Sequence, residues 1–318
     1  MSSRIHARTR VSTSLQAIYA IPLAVALALV PSDDANAQDA DKRREMFNSI
    51  SWTDAPGVGK LGDVARLDIP EGCRFTDARG AKKFMEATEN MPSGSEVGAL
   101  RCETATPGNP ADPETWFVIF EYDESGYVKD TEKASLDGDK ILATLREGQE
   151  SGNEERRRRG WEELTIGGWI RPPYYDEETN NLTWAVSVLA SGDTSVNHSV
   201  RLLGRGGVLK ADLVTDPSGF ALALPTFDGV IGATAFVPGQ KYSEWRDGDK
   251  VAAYGLTALV AGGAGAAALK LGLFGKLWKV IAASGKVIIV ALAAAGAWLK
   301  RLFTGKSDDK RPSPSSRG

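Results

Sequence analysis

Two long apolar runs stand out in the C-terminal quarter of the chain. Residues 251–269 contain no charged residue, and residues 280–299 contain only Lys286. The hydrocarbon core of a bilayer is about 30 Å thick, so a helix needs about 20 residues to cross it at about 1.5 Å per residue. The pattern therefore predicts membrane-anchoring helices over residues 250–304, in the form of a C-terminal transmembrane helix or a helical hairpin.

The two topologies place the same apolar runs differently. In a helical hairpin both runs cross the membrane, whereas in a single pass only residues 280–299 cross it and residues 251–269 lie at the interface. The length and lack of charge of the first run favour the hairpin. The Lys and Arg residues of the tail favour the single pass, because basic residues stay on the cytoplasmic side. The hairpin is slightly favoured, although both alternatives stay open. Residues 305–318 are expected to form a disordered basic tail.

The N-terminal pattern is that of an export signal. Arg4, Arg8 and Arg10 precede an apolar stretch over residues 15–30, and Ala35-Asn36-Ala37 provides a small-x-small cleavage sequence. We therefore predict a signal peptide over residues 1–37, with an uncleaved N-terminal anchor as the alternative. In either case the domain that follows is exported, so we expect a protein of the inner membrane whose main domain lies in the periplasm.

Strand patterns dominate residues 52–249. An almost continuous apolar run at residues 116–122 is typical of a strand covered on both faces, and alternation over residues 182–188 and 196–202 indicates strands with one buried face. Gly204-Arg205-Gly206-Gly207 then predicts a hairpin turn, since glycine accepts the positive φ that such turns need. Further strands are predicted at residues 64–69 and 208–214.

Helical spacing is less frequent. Residues 78–89 and 135–149 carry apolar side chains three or four positions apart, and a third helix is predicted between residues 217 and 231 despite Pro225. A charged lead-in segment covers residues 38–51. Strands linked by hairpins, with few helices, predict an α+β domain with a mainly antiparallel sheet.

Charge divides the chain into two parts. Residues 38–250 carry 25 Lys and Arg against 37 Asp and Glu, whereas residues 251–318 carry 10 against 2. Because affinity for a phosphate backbone depends on Lys and Arg, the acidic exported domain argues against nucleic acid as a partner. The basic C-terminal part suits anionic headgroups, so membrane lipid is the expected partner, with another envelope protein as a further candidate. The sequence does not fix the oligomeric state.

The chain has two cysteines, Cys73 and Cys102, and both lie in the exported part. In an oxidising compartment they can form a disulfide, which would stabilise the fold by about 3–4 kcal/mol in the chain-entropy model. Two free buried thiols are the alternative, because the sequence does not place the two Cα atoms close to each other.

The sequence offers little catalytic chemistry. After the signal peptide His198 is the only histidine, and it shares a strand face with Val196 and Val200, which is typical of a core residue. A G-x-S-x-G elbow, a phosphate-binding P-loop and a His/Cys zinc pattern are all missing from the sequence. We therefore assign no catalytic residue, metal ligand or cofactor, and the pattern favours a protein that is not an enzyme.

Two charged clusters each have a structural and a functional interpretation. Asp137-Gly138-Asp139 lacks the EF-hand pattern and is interpreted as a polar helix start. The four consecutive arginines at residues 156–159 are interpreted as a solvated helix end. Binding of a phosphate, a lipid headgroup or an acidic partner is the alternative for these arginines.

A series of short motifs occurs in a fixed order along the chain. They are Gly126-Tyr127-Val128-Lys129-Asp130, Asn153 with Arg156 and Gly160, Gly168-Trp169 with Pro173-Tyr174-Tyr175-Asp176, Leu182-x-Trp184-Ala185, Val196-Asn197, Leu203-Gly204-Arg205-Gly206-Gly207 and Asp249-Lys250-Val251-Ala252. Over about residues 52–303 this order resembles the uncharacterised bacterial membrane-anchored proteins that carry the domain of unknown function 2167. The resemblance implies a signal peptide, an exported domain and a C-terminal membrane anchor. It implies no activity, cofactor or catalytic residue, and the family usually has Tyr at the position of His198.

The aromatic and polar residues of these motifs are our candidates for a shared binding surface. Turn and core duties are expected for some of them, since Asp176 can cap a turn and Trp184 faces the core. The candidates are Tyr127, Asp130, Asn153, Arg156, Trp169, Tyr175, Asp176, Trp184 and Arg205.

Three functions are compatible with this sequence. The first is a non-enzymatic interaction or ligand-binding module of the cell envelope, held at the membrane. The second is a carboxylate-dependent envelope hydrolase, for which Asp130 and Asp176 would have to face one cleft about 5–10 Å apart. The third is a membrane-assembly protein whose Gly/Ala-rich helices pack together. The missing nucleophile, metal ligands and phosphate loop favour the first.

Overall fold

The computed structural model of the chain describes residues 34–262. The predicted signal peptide up to residue 33, the second apolar run and the basic tail lie outside the described residues. Within the described part of the chain, no helix is both long and apolar enough to cross a membrane.

Two antiparallel sheets form the framework of the described residues. Their strands, in chain order, are β1 (Thr53–Asp54), β2 (Gly57–Leu61), β3 (Ala65–Ile69), β4 (Cys73–Asp77), β5 (Glu96–Thr106), β6 (Asn109–Asp123), β7 (Thr165–Asp176), β8 (Asn181–Ala190), β9 (Asp193–Leu203), β10 (Val208–Thr215) and β11 (Ala235–Phe236). The large sheet has eight strands in the order β1-β4-β5-β6-β10-β9-β8-β7, and the small sheet has three in the order β11-β3-β2.

The helices of the described part are α1 (Asp34–Asn48), α2 (Ala78–Ala87), α3 (Gly138–Arg158), α4 (Phe220–Ala233) and α5 (Leu256–Val260). Short 3-10 turns cover Lys133–Ser135 and Tyr242–Glu244. The carboxylates of Asp77 and Asp137 start α2 and α3, because they accept the backbone N–H groups of Gly80 at 3.0 Å and Lys140 at 3.1 Å. The polar helix start predicted at Asp137-Gly138-Asp139 is therefore confirmed.

The two faces of the large sheet carry separate apolar cores. On one face, Phe84 of α2 and Ile141 of α3 pack in the same layer as Trp184 of β8. On the other face, Phe120 of β6 and Phe227 of α4 belong to a layer that also includes the small sheet. The central strands are covered on both faces, which explains the continuous apolar run that the sequence shows in β6.

The predicted α+β fold with a mainly antiparallel sheet is confirmed. The apolar run at residues 116–122 lies inside β6, and residues 116–120 are all buried. The glycine-rich turn at residues 204–207 joins β9 to β10 as an antiparallel pair. The sequence patterns did not predict the long strands β5 and β7 or the short strands β1, β2, β4 and β11. Helix α3 continues to Arg158 instead of ending at residue 149.

His198 is a core residue, as its strand face predicted. Its side chain is 3% exposed, and its ring packs edge-on against Phe227 with 5.3 Å between the ring centres. The Nδ1 atom lies 3.1 Å from the carbonyl oxygen of Trp184. Burial, together with the nearby Arg171, lowers the pKa of His198 to about 4, so the imidazole is neutral at ordinary pH.

The first apolar run begins inside the folded domain, at residues where the hairpin alternative placed the start of a membrane helix. Val251 forms a parallel bridge with Tyr127, and α5 begins only at Leu256. Leu256, Leu259 and Val260 are buried in the core that α2 and α3 cover. Residues 251–260 therefore belong to the folded domain, beyond the boundary that the sequence placed after residue 249. The rest of the run from residue 263 lies outside the described residues.

Cys73 and Cys102 form a disulfide between β4 and β5, which is one of the two alternatives that the sequence left open. The two residues are direct cross-strand partners, so antiparallel pairing itself brings them together. Both are buried in the core beneath the small sheet. The bridge closes a loop with a sequence separation of 29, which reduces the freedom of the unfolded chain.

Candidate functional site

One end of the large sheet gathers loops from distant parts of the sequence. Asp123 at the end of β6 pairs with Val208 at the start of β10, and Val208 pairs with Leu203 at the end of β9. Asn181 at the start of β8 pairs with Leu202 and also with Asp176 at the end of β7. The loops after β7, β6 and β9 therefore meet at one end. We name it the motif end, because it carries Tyr127, Asp130, Tyr175, Asp176 and Arg205.

Residues 237–255, named here the strap, cross the motif end and tie its loops together. The N–H of Arg205 donates to the carbonyl oxygen of Gln240 at 2.9 Å. The N–H of Tyr127 donates to the carbonyl oxygen of Lys250 at 2.8 Å. The N–H of Ala252 donates to the carbonyl oxygen of Tyr127 at 2.9 Å. The strap therefore continues the backbone pairing beyond the last residues of the strands.

Two motif glycines let the strap approach this closely. Gly126 has a φ of +98°, and a Cβ at this position would lie 2.6 Å from the carbonyl oxygen of Lys250. A Cβ on Gly204 would lie 3.1 Å from the carbonyl oxygen of Gln240 in the strap and 2.9 Å from the ring of Phe236, just before the strap. Close approach of the backbone thus explains both glycines without a ligand.

An aromatic cluster forms where the strap meets the loop after β6. The rings of Tyr127 and Tyr242 are stacked with 4.4 Å between their centres, and Trp245 lies 5.3 Å from Tyr127. The hydroxyl of Tyr242 donates to the carbonyl oxygen of Val128 at 2.9 Å. Burial, followed by a hydrogen bond with Tyr127, raises the pKa of Tyr242 above its ordinary value. The Nε1 atom of Trp245 is buried and has no hydrogen-bond partner in the described part of the chain.

Asp130 and Tyr175 meet beside this cluster. Tyr175 is buried, and its hydroxyl donates to Asn180 Oδ1 at 3.3 Å. Burial is the main cause that raises the pKa of Tyr175, and the carboxylate of Asp130 raises it further. Lys133 lies 3.7 Å from Asp130 and 2.7 Å from Glu177. The structure therefore brings two of the candidate residues into one polar network.

Asp176 at the motif end has a structural duty in the turn between β7 and β8. Its carboxylate accepts the N–H of Glu178 at 2.9 Å and the hydroxyl of Thr179 at 2.7 Å. The hydroxyl of Thr179 is the largest cause that lowers the pKa of Asp176. A general acid needs a raised pKa, so this environment does not suit Asp176 to that role.

Arg205 connects the turn between β9 and β10 to the strap. Its Nε and Nη2 atoms donate to the two carboxylate oxygens of Asp249 at 2.7 and 2.8 Å. Asp249 also accepts the N–H of Arg246 at 2.8 Å. Such a two-pronged pair fixes geometry as well as charge. Arg205 thus holds the strap in place, although it was predicted as a surface residue.

Asn153 and Arg156 lie on α3, away from the motif end. Asn153 Nδ2 donates to the carbonyl oxygen of Leu164 at 2.8 Å, and its Oδ1 accepts the N–H of Leu164 at 2.9 Å. Arg156 is buried and donates to the carbonyl oxygens of Glu162 and Glu89. Burial lowers the pKa of Arg156 to about 10. Both side chains therefore hold α3 against the segment that leads into β7.

The other arginines of the cluster at residues 156–159 are exposed and paired with acids on or near α3. Arg157 contacts Glu150 at 3.1 Å and Glu163 at 2.8 Å. Arg158 and Arg159 both contact Glu155, at 2.8 and 2.7 Å. The cluster is thus partly neutralised by its neighbours, which agrees with a solvated helix end better than with an anion site.

The two candidate tryptophans serve in packing. Trp169 lies in β7, and its Nε1 donates to the carbonyl oxygen of Gly138 at 3.2 Å. Trp184 is buried, and the guanidinium of Arg201 lies 4.7 Å from its ring centre. Arg201 in turn pairs with Asp212 at 2.9 Å. This buried ion pair was not predicted, although charged residues in strands that otherwise bury both faces are a signal for it.

The described residues offer no arrangement typical of a metal centre. No group of three or more His, Cys, Asp or Glu side chains within the described part of the chain could hold a metal ion. A groove of about 600 Å³ does run between α3 and the start of β7, and Arg146, Gln149, Leu164 and Leu189 line it. Gln149 and Arg146 bond to the backbone of β7 there, so the groove is part of the packing of α3.

The comparisons with known proteins give a family and no activity. The family model described as "Protein of unknown function (DUF2167)" matches residues 53–296. No curated protein matches the chain.

Several solved structures show a weak similarity. The cyanobacterial PsbP (CyanoP) from Synechocystis sp. PCC 6803 is 14% identical over 59% of this chain and 93% of its own, with a TM-score of 0.33. LpqN, described as involved in cell envelope biogenesis of Mycobacterium tuberculosis, is 15% identical over 63% of this chain and 96% of its own, with a TM-score of 0.28. CalU16 from Micromonospora echinospora is 13% identical over 42% of this chain and 79% of its own, with a TM-score of 0.17. Similarity at these scores carries no argument about function.

Replacement of Asn153 by Ala tests its structural role. We expect the free energy of unfolding to fall by about 1–3 kcal/mol, because buried backbone groups of Leu164 lose their side-chain partner. Denaturant unfolding followed by circular dichroism measures the change. Arg158→Ala is the matched control on the same helix, and its effect should stay within about 0.5 kcal/mol because the side chain is exposed. Equal effects of the two substitutions would contradict the role of Asn153.

The pair of Arg205 and Asp249 predicts a dependence of stability on pH. Arg205 lowers the pKa of Asp249 from 3.8 to about 2. A lowered carboxyl pKa stabilises the fold above the ordinary pKa, and this contribution is lost as the pH falls through the folded-state pKa. Asp249→Asn should therefore be less stable than the wild type at neutral pH, and the difference should shrink as the pH falls from 3.8 to about 2.

Thermal unfolding of both proteins at a series of pH values measures this difference. Asp247→Asn is the matched control, since Asp247 is an exposed acid of the same strap. A difference between wild type and Asp249→Asn that does not change with pH would show that the pair contributes no charge interaction.

Proposed function

The chain belongs to the DUF2167 family of proteins of unknown function, and we propose that it is a membrane-anchored, non-enzymatic interaction module of the bacterial cell envelope. In this proposal the main domain lies in the periplasm, and the C-terminal apolar chain holds it at the inner membrane. The motif end is the surface that meets the partner, which is another component of the envelope.

The observation that carries the proposal is the convergence of motif residues at one end of a rigid sheet. Tyr127 and Asp130 of the loop after β6 form one aromatic and acidic patch with Tyr175 near the end of β7 and with Lys133. The side chains of Asp130 and Lys133 are 34% and 38% exposed, so a partner can reach them. Loops on a rigid scaffold often carry the binding residues of a protein.

The chemistry of the patch supports binding more than catalysis. Asp176 is engaged in a turn with a lowered pKa, and Asp130 is paired with Lys133. The hydrolase alternative needs two acids free to face a substrate, one of them with a raised pKa. The membrane-assembly alternative depends on apolar residues that lie outside the described part of the chain.

The fold of the strap supports a single membrane crossing. Residues 251–260 lie in the folded domain, where Val251 forms the bridge with Tyr127 and Leu256–Val260 form α5. Only the nine residues 261–269 of the first apolar run could then enter the membrane. Nine helical residues reach about 13 Å, whereas the hydrocarbon core is about 30 Å thick. We therefore assign the crossing to residues 280–299, with the basic tail on the cytoplasmic side.

Reporter fusions after Gly305 test this topology. A single crossing should give a fluorescent cytoplasmic reporter and an inactive periplasmic phosphatase at this position, because the tail stays inside the cell. Fusions of both reporters after Gly262 serve as controls and should give the reverse pattern. Phosphatase activity after Gly305 would support the helical hairpin and contradict the single crossing.

Site-specific photo-crosslinking in the native envelope tests the binding surface. A photoreactive residue at Glu178, an exposed position of the motif end, should form adducts with a partner. The same photoreactive residue at Asp193 is the matched control, because Asp193 is exposed and begins β9 at the opposite end of the sheet. Lys133→Glu should then reduce the adducts at Glu178 with little change in thermal stability, since the two ion pairs of Lys133 are exposed and such pairs contribute little to folding. Equal adducts from both positions, or none from either, would contradict the proposal.

A further inference from the structure

Two carboxyl groups meet at the end of the large sheet that is opposite the motif end. Glu114 of β6 and Asp216, which follows β10, are joined by a side-chain hydrogen bond. Asp216 Oδ1 also accepts the hydroxyl of Ser218 at 2.7 Å and the N–H of Gly219 at 2.6 Å. Two carboxyl groups this close repel each other unless a proton or a cation lies between them.

A third oxygen points to the same place. Thr215 is fully buried, and its Oγ1 has no hydrogen-bond partner in the described part of the chain. A Cβ built on Gly219 would lie 2.6 Å from Thr215 Oγ1 and 3.3 Å from both Asp216 Oδ1 and Glu114 Oε2. Oxygen atoms of three side chains therefore surround one small volume beside Gly219. A buried hydroxyl without a protein partner usually bonds to a water molecule or an ion, so Thr215 Oγ1 is available as a ligand.

The charge around this volume is negative. Asp112, on the same strand as Glu114, adds a third acid in the neighbourhood of Glu114 and Asp216. Glu114 is half-buried, so solvent and ions can reach the pair.

We propose that Glu114, Asp216 and Thr215 bind a calcium ion at the turn between β10 and α4. Calcium takes six to eight oxygen ligands at about 2.3–2.6 Å in flexible geometry, and it accepts neutral oxygens beside carboxylates. Two carboxyl groups and one hydroxyl form part of such a set, and water supplies the rest on the exposed side. Magnesium requires nearly ideal octahedral geometry, which an irregular turn suits less well. The two carboxyl groups alone do not form a metal cluster, so the unpaired hydroxyl is the feature that identifies the site.

The bound ion would join β6 to the start of α4. Its expected dissociation constant is about 0.1–1 mM, which is typical of extracellular calcium modules. The site lies at the opposite end of the sheet from the motif end. It is therefore independent of the proposed interaction surface, and the failure of one proposal leaves the other intact.

Calcium titration of the full-length protein in detergent tests this site at one fixed pH above neutrality. Isothermal titration with CaCl2 should give one site, and the midpoint of thermal unfolding should rise with calcium. Glu114→Gln should weaken binding by about tenfold or more, because affinity depends on the number of charged ligands. Glu147→Gln, which replaces an exposed acid on α3, is the matched control and should bind like the wild type.

Thr215→Val separates a ligand role from a folding role. Valine fills the space of threonine without its hydroxyl, so the stability without calcium should not fall, whereas the calcium affinity should. Magnesium in place of calcium should bind more weakly. A flat calcium titration of the wild type, or equal affinity in wild type and Glu114→Gln, would overturn the proposal.

Discussion

The backbone pairing between Tyr127 and the strap is the contact on which the motif end depends. The N–H and the carbonyl oxygen of Tyr127 bond to Lys250 and Ala252, more than one hundred residues later in the sequence. This pairing places Tyr242 and Trp245 against the ring of Tyr127. It also carries Asp249 to Arg205. Without this pairing, the loops that follow β6, β7 and β9 would still lie at the same end of the sheet. The strap would not hold them together.

The edges of the large sheet set a second constraint on the fold. Unpaired N–H and C=O groups at a sheet edge can pair with strands of other chains. β1 is only two residues long and ends one edge. β7 forms the other edge, and its pairing with β8 has three register shifts. Near the start of β7, side chains of α3 replace a neighbouring strand: Gln149 accepts the N–H of Ile166 at 2.7 Å, and Asn153 bonds to both backbone groups of Leu164. Polar side chains on a helix thus satisfy an exposed edge.

The sequence predicted those elements whose burial leaves a simple pattern. The run at residues 116–122 and the alternation in β8 and β9 follow from burial of two faces or one, and all three strands exist. β7 was not predicted because Gly167, Gly168 and two prolines interrupt the alternation of apolar and polar residues that marks a strand. Asn153 and Arg156 were assigned to a surface because they are polar residues of the shared motifs. The predicted helix ended at residue 149, so their place on a longer α3 was not visible. Tyr242 and Trp245 show no periodic pattern, and only tertiary pairing reveals their position beside Tyr127.

The strap also has a mechanical consequence, because α5 and the rest of the apolar chain follow it directly in the sequence. A force that pulls on the chain beyond Gly262 would act first on the buried side chains of α5 and then on the two hydrogen bonds at Tyr127. The strands of the large sheet would bear load only after the strap had been pulled away. Tension on the C-terminal part of the chain would therefore separate the aromatic cluster before it pulled the strands of the sheet apart.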